Sequence, residues 1–180
     1  MSQEKIFLHT CCAPCSVKCL EVLEKEGFTP TIFWYNPNIH PWMEYNLRKT
    51  TLLDYVKDLG LEAIVEDDYG LEFFINGIYP DFGRGRCRFC YESRLRKTAQ
   101  LALENGYKFF STTLLISPYQ NHELIKELGE KFALEYGVGF VYKDFRPFFR
   151  EGQKQARGNG FYMQKYCGCI FSEKERYVKK

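Results

Sequence analysis

The sequence predicts an α/β fold, a three-layer sandwich around a mainly parallel sheet of about five strands. Two observations carry that expectation. Short runs rich in β-branched and aromatic residues recur along the chain, and segments of helical periodicity separate them. Such alternation builds parallel strands joined by helical crossovers on both faces of a sheet. A third observation sets the scale. With 180 residues and 45% apolar content, one domain spanning 1–180 can bury a core that needs no disulfide staples.

The elements follow in order. The first strand is Lys5–Thr10, and it runs straight into "HTCCAPCS". A helix follows at about 16–26, where Leu20, Val22 and Leu23 begin an apolar face. The second strand, Thr31–Tyr35, ends in "YNPNIHP" and leads to a helix at about 42–59. Glu62–Glu66 is the third strand. A helix at about 91–105 follows it, with Leu95, Ala99, Leu101 and Ala102 on its apolar face. The fourth strand, Lys108–Thr113, ends in "STTLLISPYQNH", and a helix is expected at about 119–136. Val138–Lys143 is the fifth. Parallel sheets do their chemistry outside the carboxyl ends of the strands. The ends of the first, second and fourth strands are therefore expected to share one edge. The segment at about 150–180, with a Gly-rich turn before "YCGC", is expected to fold back over that edge.

Bulk composition excludes little about partners, since the net charge is only +2. The N-terminus has no long apolar stretch behind a basic one, and no window approaches 18 uninterrupted apolar residues. A cytoplasmic location away from membranes is expected. In a reducing compartment, eight cysteines point to metal or redox chemistry rather than structural disulfides.

The cysteines form three groups: Cys11, Cys12, Cys15 and Cys19; Cys87 and Cys90; Cys167 and Cys169. A Cys-x-x-Cys pair sets two thiolates on one turn, close enough for one metal or adjacent irons. The adjacent Cys11 and Cys12 need a sharp strand-to-helix turn to converge, and a helix N-terminus there would favour thiolates. Cys19, farther along the helix, reads as a core thiol, and Cys15 stays open between core and ligand. "CAPC" has thioredoxin's Cys-x-Pro-Cys spacing, but a thiol–disulfide oxidoreductase needs only two of these thiols. A structural zinc site in a redox-inactive RNA-binding module needs only four. An iron–sulfur cluster with four Cys ligands, beside a further thiol pair, uses all six paired thiols. The turn contains no glycine, so the phosphate cradle that related folds place there is missing, which argues against ATP binding.

Two basic groups flank the cysteine motifs. Arg84, Arg86, Arg88, Arg94, Arg96 and Lys97 surround Cys87 and Cys90, with only Glu92 opposing in sequence. Arg146, Arg150, Lys154 and Arg157 precede the Cys-x-Cys pair. Both suit phosphate contacts, and Tyr35, Trp42, Tyr119 and Phe161 are candidates to stack an unpaired base. His9, Tyr35, His40, His122 and Tyr166 are candidate proton donors, with Tyr166 favoured by its place beside Cys167.

Five stretches in order, "LHTCCAPCS", "FWYNPNIHPWMEYNLRK", "RCRFCYESRL", "STTLLISPYQN" and "GFYMQKYCGCIFS", resemble the cobalamin-independent epoxyqueuosine reductases of the QueH family over about residues 6–173. The resemblance implies an adenine-nucleotide hydrolase-like (HUP-type) α/β sandwich. It implies reduction of epoxyqueuosine to queuosine at the wobble position of tRNAs with GUN-type anticodons, fed by an external donor such as ferredoxin or flavodoxin. It implies a [4Fe–4S] cluster held by Cys11, Cys12, Cys87 and Cys90, with Cys167 and Cys169 as a redox-active pair. Removing an epoxide oxygen takes two electrons, whereas such a cluster passes one at a time. The Cys pair would therefore cycle between dithiol and disulfide or hold a second metal ion (iron), with Asp81 as a possible third ligand.

Overall fold

The computed structural model describes residues 4–83 and 85–178. Five parallel strands, β1 (Glu4–His9), β2 (Phe28–Trp34), β3 (Ala63–Val65), β4 (Phe109–Thr112) and β5 (Gly139–Phe140), lie in the order β3-β2-β1-β4-β5. This is the doubly wound order, in which the chain moves outward from a central strand and then returns to its other side. β1 is that centre. Leu8 pairs with Ile32 of β2 and Ser111 of β4. Ile6, Phe7 and Leu8 are wholly buried, because both faces of β1 are covered.

Helices α1 (Ala13–Lys25) and α2 (Trp42–Asp58) pack together on one face, and α4 (Gly85–Glu104) and α5 (His122–Tyr136) pack together on the other. Three further helices were not expected from the sequence: α3 (Leu71–Ile78), α6 (Phe149–Gly158) and α7 (Ile170–Tyr177). The missed helices have physical reasons. α6 docks on α1 through Gly152 and Ala156, its only buried residues, so it has no stripe of large apolar side chains to announce it. A Cβ at Gly152 would come within 3.3 Å of Lys18, which shows how closely the two helices approach. In α3, Gly77 lies so close to Phe89 of α4 that a Cβ would sit 2.0 Å from the ring.

Boundaries also move: α1 starts at Ala13 and β2 at Phe28, each three residues early. β5 is only two residues long rather than the expected Val138–Lys143. α4 starts at Gly85, not near residue 91, so Cys87 and Cys90 stand on its first two turns. Asp81 helps fix that start: its two carboxylate oxygens accept the backbone N–H groups of Gly83 (2.9 Å) and Gly85 (3.1 Å). The side chain expected as a third ligand of a second metal is the one that accepts these two backbone N–H groups. Among the described residues, no helix is long and apolar enough to cross a membrane.

Candidate functional site

The crevice between the carboxyl ends of β1 and β4, where strand order reverses, is where sheets of this kind bind ligands. Cys11 sits in it, its backbone N–H donating to Thr113 Oγ1 at 3.2 Å. Cys12 is the N-cap residue of α1, with extended backbone (φ −177°), and a proline occupies the first turn. Proline suits that position because the helix would leave its N–H unpaired anyway. The turn brings the sulfurs of Cys11 and Cys12 to 3.8 Å. Cys15 completes the group: the sulfurs of Cys11, Cys12 and Cys15 lie within 4.8 Å of one another, and all three residues are buried. Cys19, one turn onward, is wholly buried in the core and outside the group.

The electrostatics separate these thiols. Hydrogen bonds from Cys12 and Cys15 hold the Cys11 thiol well below its ordinary pKa, with help from Thr113 and His9 against the cost of burial. Cys12 is raised, first by burial and then by Cys11. Cys15 is raised, first by its hydrogen bonds with Cys11 and Cys12. Of the three, Cys11 is the thiol most disposed to ionise, with Cys12 and Cys15 as its hydrogen-bond partners. Gln164 adds another donor, its Nε2 lying 3.0 Å from Cys12 Sγ and 3.5 Å from Cys15 Sγ.

Two buried arginines flank the sulfurs. Arg94, on α4, is 2% exposed and donates to the carbonyl of Cys90 at 3.0 Å and to its Sγ at 2.9 Å. Arg48, on α2, is also 2% exposed. It pairs with Glu44 at 2.6 Å and donates to the carbonyls of Tyr166 and Cys167, both at 2.9 Å. Buried cations persist only when paired and hydrogen-bonded. Here the partners are a carboxylate, carbonyls and sulfur.

The remaining thiols come from two segments. On α4, Cys87 is exposed and Cys90 is buried; burial pushes the Cys90 thiol up to about 12, with Arg94 opposing. On the C-terminal arm, Cys167 is exposed and accepts from Gln120 Nε2 at 3.4 Å. Cys169 is buried and is the N-cap of α7, accepting the Ser172 N–H at 3.4 Å. Gly168 between them has φ 151° and accepts the His40 N–H at 2.8 Å. A Cβ there would press on Ile39 at 3.3 Å, and the positive φ favours glycine as well.

One cavity of about 340 Å³ is lined by Cys11, Cys15, Arg48, Arg94, Gln164 and Cys167, among others, but not by Cys87, Cys90 or Cys169. Neither Cys87 nor Cys90 joins the tight sulfur group.

The expected proton donors are held in place by structural bonds. Tyr166 donates its hydroxyl to the carbonyl of His40 at 2.6 Å, and burial, then Glu44, raise its pKa. His9 is wholly buried, with Nδ1 2.9 Å from Thr112 Oγ1 and Nε2 3.2 Å from Tyr35 O; burial, then Arg94, lower it to about 4. His40 is buried against the Pro37 carbonyl and lowered to about 4 by burial. His122 Nε2 lies 3.0 Å from Ser117 O. Tyr35 is half-buried, stacked behind Phe33.

Of the stacking candidates, Tyr119 and Trp42 are exposed, whereas Phe161 packs on Tyr55 against the core. The basic group around Cys87 differs from the sequence expectation. Arg86 pairs with Glu175, Arg88 with Glu92 and Glu127, Arg96 with Glu135, and Lys97 with Glu66. These acids, apart from Glu92, come from other elements, so local sequence could not show them. Arg94 is not a surface charge at all, and Arg84 lies outside the described residues. Sequence reading missed Arg48, Gln164 and Gln120. Only Arg48 left a signal, its spacing of four from Glu44 on one helix.

The family model for epoxyqueuosine reductase QueH matches residues 6–175. Curated relatives of that name match over nearly the whole of this chain. The chain is 37% identical over 175 residues to the one from Dehalococcoides mccartyi, covering 97% of this chain and 96% of that protein. It is 35% identical to the one from Thermotoga maritima, covering 97% and 93%. Among solved structures, a predicted subunit of a tRNA methyltransferase from Methanocaldococcus jannaschii superposes with a TM-score of 0.52 at 14% identity, covering 88% of this chain and 90% of that one. That likeness concerns the fold alone and agrees with the three-layer parallel sandwich.

Proposed function

Since this chain belongs to the QueH epoxyqueuosine reductase family, we propose that it reduces the epoxide of epoxyqueuosine in tRNAs with GUN-type anticodons, giving the cyclopentene diol of queuosine. One observation carries the reading. Cys167 of the C-terminal pair lines the same cavity as Cys11 and Cys15, so one thiol of a Cys-x-Cys pair shares a cavity with a sulfur group able to hold a metal centre.

The donor set fits an iron–sulfur cluster by its chemistry. Thiolates are its usual ligands, and Arg48 and Arg94 place two buried positive charges against the negative charge such ligands carry. Cys11, Cys12, Cys87 and Cys90 are proposed to hold it. The closeness of Cys15 to Cys11 and Cys12 supports a second assignment, with Cys15 in place of one α4 thiol. When bound, the cluster would supply single electrons drawn from an external donor such as ferredoxin or flavodoxin.

The chain's own residues do the rest. Opening the epoxide to the alkene takes two electrons and two protons and releases water. Conversion of Cys167 and Cys169 from dithiol to disulfide supplies both, and the donor restores the dithiol. Cys167 is the cavity-lining member of the pair and Cys169 the buried one. Tyr166 and Arg48 act as positioning residues, holding the arm that carries the pair.

The test is reduction of epoxyqueuosine-bearing tRNA by anaerobically purified protein with a chemical reductant. Cys12→Ser is expected to lose iron, whereas Cys167→Ser keeps iron and loses turnover. Turnover by Cys167→Ser would remove the pair from the reaction, and protein that carries only zinc would overturn the cluster. Iron counts of Cys15→Ser and Cys90→Ser decide between the two ligand sets.

A further inference from the structure

We propose that α6, not α4, is the surface on which the RNA backbone lands, with Tyr119 as the platform for a neighbouring unpaired base. The inference rests on the reading that the substrate is an RNA loop, and it assigns that loop's place on the molecule.

The argument starts from helix geometry. At about 100° per residue, Phe149 and Gln153 lie within about 40° of each other on α6, and both line the cavity. Arg157, Arg150 and Lys154 follow at roughly 80°, 100° and 140° on the same scale. All three are exposed. The basic stripe therefore begins one step around the helix from the cavity wall. Glu151, the acidic residue of α6, falls on the far side at about 200° and is engaged with Lys18 at 2.7 Å. Lys165, also exposed, lines the cavity and extends the positive rim. Among the described residues, Arg150, Lys154, Arg157 and Lys165 have no carboxylate partner.

The contrast with α4 decides the side. Arg86, Arg88, Arg96 and Lys97 are each matched with a carboxylate from α5, α7 or the segment after β3. A phosphate would have to displace those partners, whereas α6 offers its charge uncommitted. Tyr119 supplies the second requirement of loop recognition. Its ring is 87% exposed, lies edge-on to Phe149 with centroids 6.1 Å apart, and lines the same cavity. An exposed ring beside a basic rim is how single-stranded nucleic acid is held: phosphates on the cations, a base on the ring. An acidic protein donor would use the charge but has no need of the ring, so the observations favour RNA.

The experiment measures binding of an anticodon stem-loop transcript to the full-length, anaerobically purified protein across a salt series, without reductant. The triple variant Arg150→Ala, Lys154→Ala, Arg157→Ala is expected to bind more than tenfold weaker at low salt. Its slope of log affinity against log salt should be shallower by about 2–3, the loss of three phosphate contacts. Arg88→Ala with Arg96→Ala is expected to keep wild-type affinity and slope. Tyr119→Ala should weaken binding about tenfold with the slope unchanged, the loss of one stacked base, while Tyr119→Phe should bind normally. If the triple variant keeps its slope, or the α4 pair loses as much, the assignment is overturned. It is also overturned if the triple variant binds RNA normally but accepts electrons more slowly from an acidic donor protein. Binding does not depend on the reaction. A protein whose α6 holds RNA but which reduces no epoxide would refute the reductase reading and leave this one standing.

Discussion

The β1–α1 turn and the C-terminal arm bring thiols to the same cavity, but different forces hold them. Cys11 and Cys12 hang from the central strand of the sheet, where Ile6, Phe7 and Leu8 are wholly buried and Thr10 donates to Phe33 O at 2.9 Å. Residues 161–169 have no regular structure and reach the sheet edge through polar contacts: Arg48 to two carbonyls, His40 to Gly168, Tyr166 to His40. The turn is made by the hydrophobic core. The arm is anchored at its ends by Phe161 and Cys169 in apolar surroundings, and between them by polar bonds of which Arg48 makes two. A fixed sulfur group suits the holding of a metal centre, and an arm held by a few removable bonds suits a thiol pair that must change covalent state.

The sharpest way to break this comparison is at Arg48. Arg48→Met removes the arm's principal clamp and leaves Glu44 buried without its cation. Losing one partner of such a pair costs about 3–5 kcal/mol. The midpoint of urea unfolding should fall accordingly, and Glu44→Gln added to Arg48→Met should recover part of the loss. A fall under about 1 kcal/mol would mean that the arm does not depend on this cation.

Hydrogen exchange probes the same contrast without mutation. The His40 N–H is bonded to the arm and the Thr10 N–H to β2. Local opening spans everything from nearly zero to the full unfolding free energy, so the His40 amide should exchange at least about a hundredfold faster. Equal protection would show that arm and turn open as one unit.

The same divide explains what the sequence made legible. β1, β2 and β4 could be read because buried parallel strands are continuous apolar runs, and the shared edge followed from the strand ends. The paired cysteines stood out by spacing alone. Arg94 did not: a cation that donates to Cys90 Sγ looks, in sequence, like its neighbours Arg88 and Arg96, which face acids on α5. Gln164 and Gln120 carry no pattern, since their sulfur partners lie 152 and 47 residues away. α6 was hidden because it packs through glycine and alanine.

A smaller effect sharpens the comparison by pH. His9 at the end of β1 and His40 beneath the arm are both buried and lowered to about 4. A histidine whose folded pKa lies below its unfolded value of about 6.5 stabilises the fold above that value. Between the two pKa values the unfolded chain binds more protons, so stability falls as pH drops from about 6.5 toward 4, by at most about 1.4 kcal/mol per unit and histidine. Asp144, held to about 2 by Arg146, acts only at lower pH. The lowered Cys11 thiol acts in the same direction as the histidines, so urea midpoints of a Cys11→Ser variant between pH 7 and 5 report the histidines. A flat profile there would show that neither histidine is kept neutral by the fold.

The smallest expected effect falls on Cys19. It shares α1 with Cys15, is wholly buried, and stands outside the sulfur group. Burial raises its thiol well above the ordinary value, the environment of an inert core residue rather than a ligand. Cys19→Ala removes one buried atom and should cost about 1 kcal/mol, with iron content and turnover unchanged. Cys15→Ala, one turn earlier, leaves Gln164 without one of its sulfur acceptors and opens the cavity wall. If the two substitutions alter iron content alike, the boundary between metal site and core does not lie within α1. If only Cys15→Ala does, one helical turn separates a thiol that serves the site from one that serves the core.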